Sequence, residues 1–185
     1  MNAIRFPIAA AAALLLPAAL LPSPAAAKPA HSPMQFFEGR TEGIGTIRIM
    51  LGKPYRTRSI GHGRFERDGT MVFVQRVVDD GKPPRERRWK IRQTGPHRFT
   101  GTMSEAIGAV KIEEIAGRFR FRFRMKGNLS VEQWLVPLAG GTTARNTLTI
   151  RKFGVKVGTS EGMLRKLATR QSRESGQPKD TVLVP

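Results

Sequence analysis

Arg118-Phe119-Arg120-Phe121-Arg122-Phe123-Arg124-Met125 carries the most chemical information in this chain. Its strict alternation belongs to a β-strand, in which successive side chains leave opposite faces. Phe119, Phe121, Phe123 and Met125 then share an apolar face, and Arg118, Arg120, Arg122 and Arg124 share the other. Same-face positions repeat about every 6.6–7 Å, so the four guanidinium groups span roughly 20 Å, a track suited to several phosphates or carboxylates. A neighbouring strand can also neutralise them. A two-residue turn at Ala116-Gly117 sets Glu113 opposite Arg120, a pair worth about 0.2–1 kcal/mol, and Glu132 approaches from the other side. Two acids cannot cancel four arginines, so a positive strip survives.

Other reactive side chains do not assemble into a site. His31, His62 and His97 have no metal-ligand spacing, and no cysteine is present to help them. Ser104, His97 and Glu105 make a triad on paper only, because no Gly-x-Ser-x-Gly elbow accompanies them. Asp79-Asp80 and Glu113-Glu114 are adjacent carboxylates, which within a strand face opposite ways and cannot act as a facing acid/base pair; they read as turn and surface residues. No phosphate-loop pattern occurs among the glycines of residues 39–63. The Arg-Phe alternation is not an RNA-reading strand either, since that module needs flanking helices and exposed stacking aromatics. No catalytic set, metal, cofactor or nucleic-acid partner is therefore expected.

Charge and the chain's start narrow the setting. Met1-Asn2-Ala3-Ile4-Arg5 precedes an apolar run from Phe6 to Leu21, and Ala25-Ala26-Ala27 offers a small-residue cleavage site before Lys28. Residues 1–27 thus read as a cleaved signal peptide, and the protein as periplasmic or secreted. An uncleaved anchor is the alternative, but Pro17 interrupts a stretch shorter than the roughly 20 apolar residues a spanning helix uses. The formal charge is +18, and removing Arg5, the only charge in the leader, leaves +17. Such a surface attracts anionic lipid or an anionic envelope polymer, unless the arginine content is merely compositional. The absence of cysteine excludes disulfides and a lipidated N-terminal thiol.

The elements that must hold the Arg-Phe strand follow from turn signals. Residues 28–33 form a polar lead-in, residues 34–168 the domain, and residues 169–185 a disordered polar tail. Within the domain, period-2 segments recur between turns. Asp68-Gly69 joins Ser59–Arg67 to Thr70–Val78 as a tight hairpin, and Thr94–His97, Ala116-Gly117, Gly127-Asn128 and Ala139–Gly141 punctuate the rest. The expectation is an all-β fold, an antiparallel up-and-down barrel of about 8–9 strands, with a two-sheet sandwich as the alternative. Glycines inside strand patterns, among them Gly43, Gly61 and Gly63, favour tight coiling. Ser160–Leu167 is a candidate short terminal helix.

Particular strings occur in a telling order: Phe36-Phe37-Glu38-Gly39 leading to Gly43-Ile44-Gly45, then Arg88-Trp89-Lys90-Ile91, Ile107-Gly108, Glu132-Gln133-Trp134-Leu135, Asn146, and Lys152-Phe153-Gly154-Val155-Lys156-Val157-Gly158. Over residues 34–167 the chain resembles the exported bacterial family called domain of unknown function 3833. The resemblance implies a calycin or lipocalin-like barrel and carries no activity with it. Relatives include lipoproteins, from which this chain departs in having no cysteine.

Barrel, charge and leader together suggest a binding module that takes an apolar or amphipathic anionic, lipid-like ligand. Trp89, Phe119, Phe121, Phe123 and Trp134 are the expected interior wall, and Arg118, Arg120, Arg122 and Arg124 the expected anion surface. The competing expectation is a barrel filled by side chains, docking on anionic envelope polymer or a partner through its basic surface. An enzyme is the third and least supported reading. Cavity volume discriminates the first two.

Overall fold

The computed structural model describes residues 33–168. The expected signal peptide at 1–27, all but the last residue of the lead-in and the expected tail at 169–185 lie outside the described residues. One short helix, α1 (Pro33–Phe37), precedes ten strands: β1 (Gly39–Ile49), β2 (Tyr55–Phe65), β3 (Met71–Asp79), β4 (Arg85–Gly95), β5 (Arg98–Met103), β6 (Ala106–Ile115), β7 (Arg118–Met125), β8 (Leu129–Pro137), β9 (Thr143–Lys152) and β10 (Val155–Lys166). Each strand pairs antiparallel with its sequence neighbour, and β1 closes the ring on β10, with Thr41 opposite Lys166 and Ile49 opposite Gly158.

Ten strands exceed the expected eight or nine because the last one runs its full length. Ser160–Leu167 is not helical: residues 160–166 belong to β10. Ser160 and Leu164 are buried, and Glu161, Met163 and Arg165 between and beside them are exposed, a period of two. A helix there would have left the hydrogen-bonding edge of β1 open.

The Asp68-Gly69 hairpin forms as its residues require. Gly69 takes φ 78°, and Asp68 accepts hydrogen bonds from the Thr70 backbone N–H and hydroxyl, both at 3.0 Å. Those bonds, the backbone one first, hold the Asp68 carboxyl below its ordinary value. Register across the β6–β7 turn places Glu113 opposite Arg120.

Because strands alternate direction, the turns at 66–70, 96–97, 116–117 and 138–142 share one end with α1, and those at 50–54, 80–84, 104–105, 126–128 and 153–154 share the other. The α1 end is solid. Met34, Phe36 and Phe37 of the helix are buried there with Met71, Phe99, Ile112, Phe119, Leu135 and Ala144. The Phe37 ring lies 4.9 Å from that of Phe73. Gly63 makes this seat possible, since a Cβ at that position would collide with the Phe37 carbonyl. Lys166 Nζ donates to the Gln35 carbonyl at 2.8 Å, tying α1 to the last strand.

Candidate functional site: a cavity at the open end of the barrel

Above the Phe37 and Phe73 rings the barrel is hollow, with a cavity of about 450 Å³. Small inward residues on one side make the room, among them Gly43, Gly45, Ser59, Ser160 and Gly162. The opposite side is aromatic. Trp89 meets Phe121 and Phe123 edge-on, with ring centroids 6.3 and 6.0 Å apart, and Val131, Leu148 and Ile150 continue the apolar wall. The filled-barrel expectation therefore holds only for the α1 end.

Polar groups inside the wall are mostly paired with one another. Trp89 Nε1 donates to Gln75 Oε1 at 3.0 Å, and Gln133 Nε2 donates to Asn146 Oδ1 at 2.8 Å. Side chains so satisfied, Trp89 buried and the other three half-buried, keep their orientation. The two pairs put three amides, those of Gln75, Gln133 and Asn146, on the cavity wall.

Charge enters at the mouth. Arg85 and Arg87 alternate inward on β4 and converge on Glu105 in the β5–β6 turn: Arg85 Nε donates to Oε1 at 2.8 Å and Arg87 Nε to Oε2 at 3.0 Å. Arg85 also donates to Asp79 Oδ2 at 2.8 Å, and Lys82 Nζ stands 4.0 Å from the same oxygen. Asp79 is only 3% exposed, which corrects its reading as a turn and surface residue. The β3–β4 loop and Arg85 cover it, whereas Asp80 beside it is exposed. Burial pushes the Asp79 carboxyl up, but the Thr57 hydroxyl, the Arg85 guanidinium and Lys82 outweigh that and hold it below its ordinary value. Among the described residues, Asp79 Oδ1 is the buried side-chain atom with no hydrogen-bond partner. An ionised oxygen in that state is costly unless a donor reaches it. Three cations, Lys82, Arg85 and Arg87, stand against two acids, so the mouth keeps an excess positive charge.

The expected interior wall is only partly the cavity wall. Trp89, Phe121 and Phe123 line it; Phe119 is buried but lies in the solid α1 end and does not. Trp134 is not interior. It pairs across the ladder with Arg120, so both leave the same outer face, and the Arg118 and Arg120 guanidinium groups lie 5.4 and 5.7 Å from its ring. Val131 and Leu135, buried on the same strand, have the opposite parity.

The arginine stripe is on the outside of β7, and its charges are unevenly engaged. Arg120 donates to Glu113 Oε2 through Nε at 3.1 Å and through its terminal nitrogen at 2.6 Å, and Arg122 reaches the same carboxylate at 3.2 Å. Arg120's hydrogen bond first, and the charges of Arg122 and Arg120 after it, hold Glu113 below its ordinary value. Arg118 and Arg124 are exposed at the two ends of the strand.

The paper triad does not assemble. His97 lies in a turn at the α1 end and contacts Glu114 at 3.1 Å, while Ser104 and Glu105 lie at the open end, with the six residues of β5 between. His62 is exposed on β2. Sequence reasoning missed Gln75, Gln133 and Asn146, whose inward parity is shared with Phe73, Val131 and Ala144.

Among solved structures, the fold is similar to the S-type phycobiliprotein lyase CPES from Guillardia theta, with a TM-score of 0.61 at 7% identity, over 74% of this chain and 92% of that one. It is also similar to a protein of unknown function from the DUF3598 family of Nostoc punctiforme, with a TM-score of 0.52 at 10% identity, over 72% of this chain and 49% of that one. At such identities the likeness is one of fold, an all-β lipocalin-like barrel. No curated protein matches the sequence. The family model described as protein of unknown function DUF3833 matches residues 18–166, and the chain belongs to that family.

Proposed function

We propose that the barrel is a binding module for an apolar or amphipathic anionic, lipid-like ligand in the cell envelope, and not an enzyme. The observation that carries this reading is the cavity itself. Its volume of about 450 Å³ falls within the roughly 300–1,000 Å³ of small-molecule sites, which pair an apolar lining with a few placed polar groups. An apolar body packs between the Trp89, Phe121 and Phe123 edges and the Leu148 and Ile150 side chains. Its head lies at the mouth, where Lys82, Arg85 and Arg87 outnumber the acids. A hydroxyl or N–H on that head satisfies Asp79 Oδ1. Among the described residues, the two histidines, His62 and His97, do not line the cavity. The envelope setting rests on the composition of residues 1–27.

Native mass spectrometry of the protein purified from its host, followed by organic extraction, tests this. A bound apolar molecule is expected, and the Ser160→Leu variant, which fills the void from its small-residue side, should purify empty and take up less of the fluorescent probe N-phenyl-1-naphthylamine. A wild-type protein that carries no extractable molecule and takes up no more probe than Ser160→Leu would refute the reading.

A further inference from the structure

The rim of the open end carries side chains that neither the fold nor the cavity uses. Leu51, in the β1–β2 turn, is 103% exposed, and Phe153, in the β9–β10 turn, is 74% exposed; Met50 and Val155 beside them are also exposed. The two turns are neighbours. Met50 N–H donates to the Val157 carbonyl at 2.8 Å, and β10 lies between β1 and β9. Leu51 and Phe153 both take positive φ, 64° and 50°, where bulky residues are outliers and glycine or asparagine is the ordinary occupant. Both residues are therefore unfavourable for folding twice over, in exposed apolar area and in backbone conformation.

The five turns and the strand ends at the open end carry Lys53, Lys82, Arg85, Lys126, Lys152 and, one residue further in, Lys156 against Asp79, Asp80 and Glu105, and Asp79 and Glu105 are already held by Lys82, Arg85 and Arg87. At the α1 end the turns and strand ends carry Glu38, Glu66 and Asp68 against Arg67, Arg98, Arg118 and Lys166, so net charge does not set the two ends apart. What distinguishes the mouth is its bare apolar tips, with Lys53, Lys152 and Lys156 beside them and no acid in the two turns or the strand residues that flank them.

We propose that the barrel docks mouth-first on an anionic lipid bilayer. The Leu51 and Phe153 tips enter the headgroup region, and Lys53, Lys152 and Lys156 lie against lipid phosphates. Apolar tips ringed by lysine fit a surface that is apolar a few ångströms below a layer of negative charge. A soluble protein partner would need no such pairing of a bare tip with a cationic ring. Docking by the rim is independent of what the cavity holds, but it faces the mouth toward the phase in which amphipathic molecules reside.

The absence of cysteine makes the test direct. Phe153→Cys and, as a control at the α1 end, Ala116→Cys are each labelled with the environment-sensitive fluorophore NBD. They are mixed with vesicles of phosphatidylcholine alone or of phosphatidylcholine with phosphatidylglycerol. The label at 153 should brighten and shift to the blue with the anionic vesicles, less so at high salt, while the label at 116 should not. The double variant Leu51→Asn, Phe153→Asn keeps the turns, because asparagine tolerates positive φ; its melting temperature should be unchanged or raised, and its vesicle affinity should fall by about tenfold or more. Probe uptake into the cavity should be unaffected, which separates this proposal from the binding reading. Equal responses at 153 and 116, no response at 153, or full vesicle binding by the Asn pair would each overturn it. Capture of a soluble protein by the tips without any vesicle response would overturn it as well.

Discussion

The inward residues of β3, β7 and β8 meet at the α1 end as Met71, Phe119 and Leu135, all buried in one core, whereas a few residues along the same strands Gln75, Phe123 and Val131 line a void. Strand pairing runs through both halves, with register shifts in β6 and β10 toward the open end and in β4 toward the α1 end, so the presence of the ladders does not decide which half is hollow. Side-chain volume does. At one end α1 adds Met34, Phe36 and Phe37 to the interior; at the other β1, β2 and β10 contribute glycine and serine. A closed ring of ten strands leaves room on its axis, and the chain has filled that room at one end only.

Truncation should expose this contrast most strongly. Phe119→Ala, in the solid end, is expected to cost about 3–5 kcal/mol. Leu148→Ala, on a wall already facing space, should cost less than about 2 kcal/mol, because fewer packed contacts are lost. Chemical denaturation of the two variants decides it, and similar losses would mean that the open half is as tightly packed as the closed one.

A smaller effect concerns acid. Asp79 has its carboxyl held below the ordinary value of 3.8, so its ionisation contributes stability that is fully present above that value and is lost as pH falls through the lowered one. Asp79→Asn should therefore be less stable than wild type near neutral pH, and the gap should close as pH drops below about 4. Asp68 and Glu113 are shifted the same way but titrate in both proteins, so the difference isolates the cavity mouth. A gap that stays constant down to the acid limit would separate Asp79's contribution from its charge.

The smallest stability change is expected on the outer wall. Replacing Arg118, Arg120, Arg122 and Arg124 together by Gln should cost about 1 kcal/mol or less, since ion pairs that solvent still reaches, such as half-buried Arg120 with Glu113, contribute little. The variant should lose some salt dependence in binding acidic vesicles but less affinity than the rim variant loses. The reverse ranking would move the anion surface from the mouth to the flank.

What was legible in the sequence follows from parity and turn chemistry. The Arg-Phe alternation, the Asp68-Gly69 hairpin and the Glu113–Arg120 pairing depend on neighbours in the chain, and each is present. Trp134 was misplaced although Val131 and Leu135 mark the opposite face, because an aromatic residue's size suggested burial; stacking with Arg118 and Arg120 gives it an outer site instead. Asp79 was illegible for a different reason. Beside Asp80-Gly81 it has the composition of a turn, and its burial depends on Arg85, whose second partner, Glu105, arrives from another hairpin. The ladder to β1 is equally nonlocal, and it turned an ambiguous 160–167 segment into strand.

The seam between β1 and β10 also shapes how the molecule is made. Every other ladder joins neighbours in sequence and can form as a local hairpin, but the pairing of Thr41 with Lys166 waits for nearly the whole described chain. The entropy of closing so long a loop grows only logarithmically, so the step is late without being prohibitive. Until it happens, both outer strands present unpaired backbone, the geometry that recruits other chains. A cut or truncation that removes β10 would return the ring to that open sheet, so the last strand protects against aggregation as much as it completes the wall.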